Sequence, residues 1–224
     1  MPDAICLPYH PAVQLFQHYA IPLARQELVQ TSAQAGAAAQ RIGLPVALKA
    51  VSPAQSHKSE AGLVRLNLSS ISAVERTAVS LLEQVNGALL EGLLVQEMVT
   101  GGVELIAGVT RDPQFGPLLM VGSGGILVEL LEDVALAVPP LTHTQARELL
   151  RQTQAWKLLG GYRGRPAGDI AALEALLCNL SRLALEQASQ VTSLDLNPVI
   201  VLPAGQGVKV VDARVFCSQA PTKD

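Results

Sequence analysis

Residues 44–66, LPVALKAVSPAQSHKSEAGLVRL, contain the pattern that decides the fold. The apolar run at their start, with Lys49 near its end, is typical of a buried strand. Ser52-Pro53 ends that run, and a polar loop that carries His57 and Lys58 follows it. Apolar and polar residues then alternate, which predicts that the chain returns as an antiparallel strand. We therefore predict a β-hairpin with a lysine on its first strand and a polar loop above it.

Lys49, His57 and Lys58 have side chains that suit phosphate chemistry. A strand lysine can pair with phosphate as a compact charge, and a loop with a second lysine, hydroxyl groups and glycine can close over that phosphate. A histidine in such a loop can accept a phosphoryl group through a ring nitrogen. Two plainer interpretations stay open on these residues alone. Lys49 could extend its ammonium group to solvent from a strand end, and His57 could be an exposed loop residue without a role.

The length and composition fit a folded protein with a substantial core. The 224 residues suffice for one large domain or for two smaller lobes that share a cleft. Hydrophobic residues make up 49% of the chain and aromatic residues only 3%, so the core is expected to consist of aliphatic side chains. Charged residues make up 16%, which is low for a monomer, and part of the surface is therefore expected to contact a partner.

The same totals argue against several functional classes. The net charge is -3 and no run of Lys and Arg could neutralise a nucleic-acid backbone, so nucleic acid is not an expected partner. No apolar run reaches the ~20 residues of a membrane helix, and the N-terminus lacks the basic region of a secretory signal. Three widely spaced cysteines suggest neither a disulfide framework nor a zinc cluster. We therefore expect a reduced, cytoplasmic protein without a membrane partner.

Periodicity predicts a mixture of helices and mainly antiparallel strands. Helical spacing covers residues 11–19, 32–42, 73–86, 142–153 and 169–187. A short strand is predicted over residues 23–28. From Gly92 the period becomes two, and short connections predict an antiparallel meander of four strands over residues 93–99, 103–110, 118–121 and 128–131. We interpret residues 122–125, GSGG, as a tight turn within it. Two further strands are predicted over residues 193–202 and 208–215.

Glu97 and Glu104 are candidates for nucleotide contacts. The meander places these two acids on adjacent strands, beside an apolar strand whose backbone is free to hydrogen-bond. Such an arrangement could hold an adenine edge and a ribose hydroxyl. The alternative is a sheet that simply carries two carboxylates on its polar face.

Asp195, Asn197 and Asp212 are candidates for a metal site. Asp195 and Asn197 share one face of a strand because side chains alternate with period two. Asp212 is expected in the middle of the following apolar strand, where an unpaired carboxylate is costly. Carboxylate and amide oxygens are the ligands that Mg²⁺ needs when it is bound to nucleotide phosphates. The alternative is an ion pair between Asp212 and either Arg214 or Arg111.

Several motifs in order resemble one family. They are IGLPVALK at residues 42–49, Ser52-Pro53 with HKSE at 57–60, LVQEMV at 94–99 with Glu104, RDPQFGP at 111–117, and LNP at 196–198 with DAR at 212–214. Over about residues 13–215 the chain resembles the ATP-grasp β subunit of ADP-forming acyl-CoA synthetases, the acetate–CoA ligase (ADP-forming) family. One position departs from the family pattern, because Leu63 stands where the family usually has a second glycine.

The resemblance implies an α+β ATP-grasp fold with two lobes whose mainly antiparallel sheets enclose a nucleotide cleft. It implies an N-terminal helix over residues 1–20 that packs on the second lobe, a first lobe over 21–95, a second lobe over 96–217, and a tail over 218–224. It also implies a reversible ligase reaction in which acyl-CoA, ADP and phosphate give a carboxylic acid, CoA and ATP.

The resemblance further implies roles for individual residues. His57 matches the phosphohistidine that relays phosphate between ATP or ADP and a separate CoA-binding α subunit. Lys49 and Lys58 match phosphate contacts. Residues that match the nucleotide and metal contacts are Glu97, Met98 and Val99 for the adenine hinge, Glu104 for the ribose, and Asn197 and Asp212 for Mg²⁺. The chain would then act as one part of a hetero-oligomer.

Two other functional classes stay open in the sequence. The chain could be a catalytically silent ATP-grasp module that senses nucleotide and regulates a partner. It could also be a carboxylate–amine ligase that forms an acyl phosphate directly. The presence of His57, Asn197 and Asp212 argues against the first class, and His57 also argues against the second.

Overall fold

The fold comes from a computed structural model that describes residues 4–52, 62–85, 90–125, 133–161 and 164–218. His57, Lys58 and the strand expected over residues 128–131 lie outside the described residues, as does the tail beyond Ser218. The helices are α1 Tyr9–His18, α2 Ser32–Ile42, α3 Ile71–Gln84, α4 His143–Arg151, α5 Ala155–Leu159 and α6 Ile170–Glu186.

The strands, in chain order, are β1 Ala4–Cys6, β2 Gln26–Val29, β3 Val46–Val51, β4 Val64–Leu68, β5 Gly92–Glu97, β6 Val103–Asp112, β7 Gly116–Ser123, β8 Val134–Ala137, β9 Val191–Val201, β10 Val208–Val210 and β11 Ala213–Ser218. They form two antiparallel sheets, which confirms the α+β class. The chain divides into two compact units, Ala24–Thr100 and a unit made of Met1–Leu23 with Gly101–Asp224.

The unit Ala24–Thr100 contains a four-stranded sheet in the order β2-β5-β3-β4. The predicted hairpin is confirmed, since β3 pairs with β4 antiparallel and Lys49 lies opposite Val64. Alternate residues of β3, among them Leu48, pack with the apolar sides of α2 and α3 in one aliphatic core. Lys49 therefore lies on the opposite face of the sheet.

The other unit contains a seven-stranded sheet with the path β1-β11-β9-β6-β7-β8, and β10 pairs with β9. Helices α1, α4, α5 and α6 contribute side chains to the core of this unit. Tyr19, at the end of α1, is buried there and its hydroxyl donates a hydrogen bond to Glu186 of α6 (2.8 Å). In the described part of the chain, no helix is long and apolar enough to span a membrane.

The predicted four-stranded meander is wrong at its first strand. β5 pairs with β2 and β3 in the smaller unit, whereas β6, β7 and β8 form antiparallel neighbours in the other sheet. Glu97 and Glu104 are therefore not on adjacent strands. Alternation of apolar and polar residues identifies a strand but not its partner, because pairing is decided by contacts distant in sequence.

Three smaller predictions also need correction. The strand expected over residues 208–215 is interrupted, and Asp212 lies in the break between β10 and β11 rather than in the middle of a strand. Of the expected turn at 122–125, Gly122 and Ser123 instead complete β7. The strand predicted over 23–28 lies slightly later, as β2, because pairing with β5 begins only at Gln26, after Ala24 and Arg25.

Asp133 is a buried carboxylate that sequence analysis did not single out. It accepts hydrogen bonds from the backbone N–H groups of Gln154 (2.8 Å) and Ala155 (3.3 Å) and from the hydroxyl group of Ser123. Desolvation alone would raise the pKa of Asp133, but these hydrogen bonds more than offset it and hold the pKa below its ordinary value. The carboxylate thus ties the end of β7 to the start of α5.

Replacing Asp133 by Asn is expected to destabilise the protein at pH 7 by about 3 kcal/mol, because an amide NH₂ would face donors that now bind an oxygen. This corresponds to a fall in Tm of roughly 6–12 °C. Because the folded pKa is below the unfolded value of about 3.9, the carboxylate stabilises the fold above that pH and less as the pH falls through the folded pKa. Thermal unfolding should therefore show the Tm difference narrowing below about pH 4.

Asp112→Asn is the matched control for this experiment. Asp112 accepts backbone N–H groups from Gln114 and Phe115 at an exposed hairpin turn, where the remaining amide oxygen can replace the carboxylate. The Tm of the Asp112→Asn variant should therefore differ little from that of wild type. If the Tm difference between Asp133→Asn and wild type stayed constant from pH 7 to pH 3, this would contradict a stabilising charge at Asp133.

Candidate functional site

Lys49 is positioned by the central strand β3 of the smaller unit. It lies opposite Leu94 of β5 and Val64 of β4, and only 7% of its surface is exposed. The alternative in which its ammonium group extends to solvent is therefore wrong, because the strand is covered at this position. A buried ammonium group is costly unless polar or anionic groups compensate it. Lys49 thus stays a candidate for a phosphate contact, on the sheet face opposite the aliphatic core.

Glu97 is buried at the end of β5 and bound to Arg25. Its two carboxylate oxygens accept hydrogen bonds from the backbone N–H of Arg25 (2.8 Å) and from its guanidinium Nε (2.9 Å). The Glu97 backbone N–H also donates to the carbonyl of Arg25 (2.9 Å). The side chain thus fixes the segment that leads into β2 against the end of β5.

Met98 and Val99 follow β5 as the chain leaves the sheet. The N–H of Met98 donates to the carbonyl of Pro45 (3.3 Å), whereas no backbone hydrogen bond joins Val99 to another described residue. An N–H and a carbonyl at the end of a rigid strand can pair with the edge of a purine. The local geometry therefore suits the hinge role that the resemblance implied, and the Glu97 pair with Arg25 holds this hinge in place.

Glu104 is exposed near the start of β6 in the other unit. The Gly124 N–H donates to the Glu104 carbonyl (2.9 Å), and a Cβ atom at Gly124 would approach the Glu104 carbonyl carbon to 2.8 Å. Only glycine therefore permits this contact. Gly125 has φ +66, and a side chain there would begin 3.5 Å from Glu104 Oε2. Without side chains at these two positions, the Glu104 carboxylate stays accessible to hydroxyl groups of a ligand.

A cavity of about 500 Å³ adjoins Glu104. Its walls include the Gly101-Gly102 segment, Arg165 and Pro203. The loop that carries Arg165 is held by backbone hydrogen bonds, from Gly168 N–H to Leu159 O (2.9 Å) among others. Arg165 was not among the site residues predicted from the sequence, although the segment 160–166 is rich in glycine and arginine. No signal within the linker indicates that it lies beside the start of β6.

Four polar residues form a square on one face of the seven-stranded sheet. Asp195 of β9 lies directly opposite Arg214 of β11, and the next residue pair is Leu196 with Ala213. The N–H of Asn197 then donates to the carbonyl of Asp212 (3.0 Å), which places Asp212 opposite Asn197. Because directly opposed residues and residues two apart share a face, all four side chains belong to the same face of the sheet.

The square combines two carboxylates, one amide and one guanidinium group. Oδ1 of Asp212 accepts the backbone N–H of Ala213 (3.1 Å), and Oδ2 lies 4.0 Å from Nη2 of Arg214. The expected alternative of an ion pair with Arg214 is therefore present, but at a distance too long for a hydrogen bond. Desolvation raises the pKa of Asp195, Arg214 opposes this rise, and the negative charge of Asp212 adds to it.

The carboxylate and amide oxygens in this square are of the type that binds Mg²⁺. Mg²⁺ prefers oxygen ligands and is usually held by one or two carboxylates together with phosphate oxygens. Asn197 of β9 and Asp212, in the break between β10 and β11, supply such oxygens side by side. Among the described residues, no group of three or more His, Cys, Asp and Glu side chains is placed to hold a metal ion. The structure thus brings Asn197 and Asp212 together, with Asp195 and Arg214 beside them.

The segment that carries His57 and Lys58 lies outside the described residues, but its far boundary is defined. Leu63, the departure from the family pattern, is only 3% exposed and packs in the core of the smaller unit. Gly62 has φ +65, a conformation that favours glycine, so the preceding glycine keeps its turn role. The extra side chain therefore anchors the end of the loop to the core.

Comparison with known proteins identifies the family. The family model of the ATP-grasp domain matches residues 5–217. The β subunit of ADP-forming acetate–CoA ligase II from Pyrococcus furiosus is 37% identical over 209 residues, which cover 92% of this chain and 89% of that subunit. ADP-forming acetate–CoA ligase I from Archaeoglobus fulgidus is 42% identical over 92% of this chain, but the chain spans only 30% of that longer protein.

Solved structures of acetyl-coenzyme A synthetase 1 from Ca. Korarchaeum cryptofilum have the same fold. A complex with coenzyme A and Ca-AMPCP matches with a TM-score of 0.88 at 40% identity, over 96% of this chain and 93% of that chain. A complex with coenzyme A and Mg-AMPPCP, in which the phosphohistidine segment points towards the nucleotide-binding site, matches with a TM-score of 0.82 at 40% identity, over 95% of this chain and 92% of that chain. The chain therefore belongs to the ATP-grasp family, among the β subunits and domains of ADP-forming acetate–CoA ligases.

Proposed function

We propose that this chain is the ATP-binding β subunit of an ADP-forming acyl-CoA synthetase. The reaction converts acyl-CoA, ADP and phosphate into a carboxylic acid, CoA and ATP, and it is reversible. One observation carries the proposal: the chain is 37% identical to a β subunit of such a ligase over 89% of that subunit's length. That relative is named a β subunit, which supports a further subunit as the partner, and we propose that this partner is a separate CoA-binding α subunit.

His57 is the phosphoryl carrier in this proposal. In the ATP-consuming direction a ring nitrogen of His57 attacks the γ-phosphorus, the bond to the bridging oxygen breaks, and ADP leaves. The phosphoryl group then passes from His57 to the partner subunit. In the ATP-forming direction a β-phosphate oxygen of ADP takes the phosphoryl group from His57. Support comes from the solved relative, whose phosphohistidine segment points towards the nucleotide.

The remaining proposed residues each contact one part of the nucleotide: its phosphates, its adenine or its ribose. Lys49 and Lys58 neutralise phosphate oxygens, the backbone of Met98 and Val99 binds the adenine edge next to Glu97, and Glu104 accepts hydrogen bonds from ribose hydroxyl groups. Asn197 and Asp212 hold Mg²⁺. When bound, this ion would neutralise charge on the phosphate oxygens, which is the main requirement of phosphoryl transfer.

The test is to incubate the pure chain with γ-labelled ATP and Mg²⁺ and to quench samples in acid and in base. A phosphohistidine is labile in acid and stable in base, so we expect protein-bound label with that profile. Calorimetry with ADP and Mg²⁺ gives nucleotide affinity separately. No binding of ATP or ADP would contradict the whole proposal. Clear binding without label would leave two interpretations of equal rank, a relay that needs its partner subunit and a nucleotide-sensing module.

A further inference from the structure

The polar square of Asp195, Asn197, Asp212 and Arg214 contains a cation next to the proposed magnesium ligands. Arg214 lies directly opposite Asp195, and its Nη2 is 4.0 Å from Asp212 Oδ2. Its side chain is only 22% exposed, so its charge is partly shielded from water. Since Asp212 is also one of the two proposed metal ligands, a metal ion on Asp212 would have this guanidinium group as a close neighbour.

The charges in the square show what Arg214 does when no ligand is present. Asp195 and Asp212 are diagonal neighbours of like charge, and the one guanidinium group faces both. Together the four side chains carry a net charge of about -1 with Arg214 and about -2 without it. Two neighbouring carboxylates repel each other and would otherwise attract a divalent cation. Arg214 therefore compensates the carboxylates in the ligand-free protein.

The geometry points to Arg214 as an internal cation that keeps free Mg²⁺ out of this site and admits the metal only as its nucleotide complex. This inference rests on the proposed function. Repulsion between Mg²⁺ and the guanidinium group opposes binding of the ion alone. A nucleotide polyphosphate offsets this repulsion, because its oxygens bind the metal and also accept paired hydrogen bonds from the guanidinium group. Arg214 is then a positioning residue that moves its contact from carboxylate to phosphate, and the metal and nucleotide bind together.

The neighbouring strand leaves room for this exchange. Gly108 of β6 lies opposite Asp195 and thus shares its sheet face, and a Cβ there would lie 2.7 Å from the Leu194 carbonyl. The absence of a side chain at Gly108 keeps the sheet surface beside Asp195 flat. A ligand can therefore approach Arg214 over Gly108, beside Met120 of β7, whose Cε lies 3.7 Å from the position that a Cβ at Gly108 would take.

The test compares Arg214→Gln with wild type in two titrations. Mn²⁺ alone is followed by electron paramagnetic resonance, and ADP in saturating Mg²⁺ is followed by calorimetry. Removing the guanidinium charge should tighten Mn²⁺ binding about tenfold while it weakens ADP binding about tenfold. The two opposite changes separate an internal cation from a residue that only maintains structure, because a structural defect would weaken both.

Two further variants complete the design. Arg151→Gln removes the same charge from an exposed pair with Glu148 on α4, and both affinities should stay at wild-type values. Arg214→Lys keeps the positive charge but loses the planar pair of guanidinium donors. Its Mn²⁺ affinity should therefore stay within about threefold of wild type, while its ADP affinity falls. It also carries the test if Arg214→Gln does not fold.

Equal or weaker Mn²⁺ binding in Arg214→Gln would overturn the inference, as would a larger Mn²⁺ change in Arg214→Lys. Failure of the proposed function has a different signature. Wild-type protein that binds no ADP with Mg²⁺ would contradict the nucleotide site, while the Mn²⁺ comparison would still decide whether Arg214 excludes free metal.

Discussion

Replacing His57 by Asn is expected to lower labelling of the chain by γ-labelled ATP at least about 10³-fold, because the side chain proposed to form the covalent bond is gone. Asn keeps a polar group of similar size, so the loop should lose little else. Binding of ATP with Mg²⁺, measured by calorimetry, should stay within about threefold of wild type. The variant thus separates transfer from binding.

His143→Asn is the matched control for this prediction. His143 begins α4, is largely exposed, and its Nδ1 lies 3.9 Å from Glu174 Oε2. Its replacement removes a histidine from the same chain without touching any proposed site residue. Labelling should equal that of wild type. Label that persists in His57→Asn with the same acid and base profile would place the phosphoryl carrier on another residue.

Local sequence patterns predicted the elements whose signals are short-range. The hairpin around Lys49 and the helix that begins after Thr142 are examples. The Thr142 hydroxyl oxygen accepts a hydrogen bond from the Gln145 N–H, and the side-chain oxygen of Gln145 accepts one from the Thr142 N–H. This reciprocal cap depends only on two residues that are three positions apart. For α2 and α3 the N-cap residues are Thr31 and Ser70, whose side chains accept hydrogen bonds from the N–H groups of Gln34 and Ala73.

Features that depend on distant contacts were not predicted. The strand pattern of β5 does not reveal that its partners are β2 and β3, and the apolar run around Asp212 does not reveal a break between two strands. Asp133 caps N–H groups more than twenty positions away, at Gln154 and Ala155. The residue pattern named Asp195, Asn197 and Asp212, with Arg214 as a possible partner of Asp212, but only strand register shows that Arg214 lies opposite Asp195.

Asp212→Asn should produce the reverse pattern to His57→Asn. Loss of one carboxylate ligand should weaken Mg²⁺-dependent ATP binding by about 10- to 100-fold, because Mg²⁺ depends on few protein carboxylates. Without Mg²⁺, ADP affinity should stay within about threefold. The remaining amide oxygen can still accept the Ala213 N–H, and the contact with Arg214 at 4.0 Å contributes little, so the fold should be preserved.

Calorimetry with and without Mg²⁺ measures this difference directly, and Asp112→Asn serves as the control in the same unit. Phosphoryl labelling in Asp212→Asn should recover at high Mg²⁺ concentration, because His57 is intact and only metal affinity has changed. In His57→Asn no concentration of Mg²⁺ restores it. Equal losses of nucleotide affinity in both variants would show that metal binding and phosphoryl transfer are not carried by separate residues.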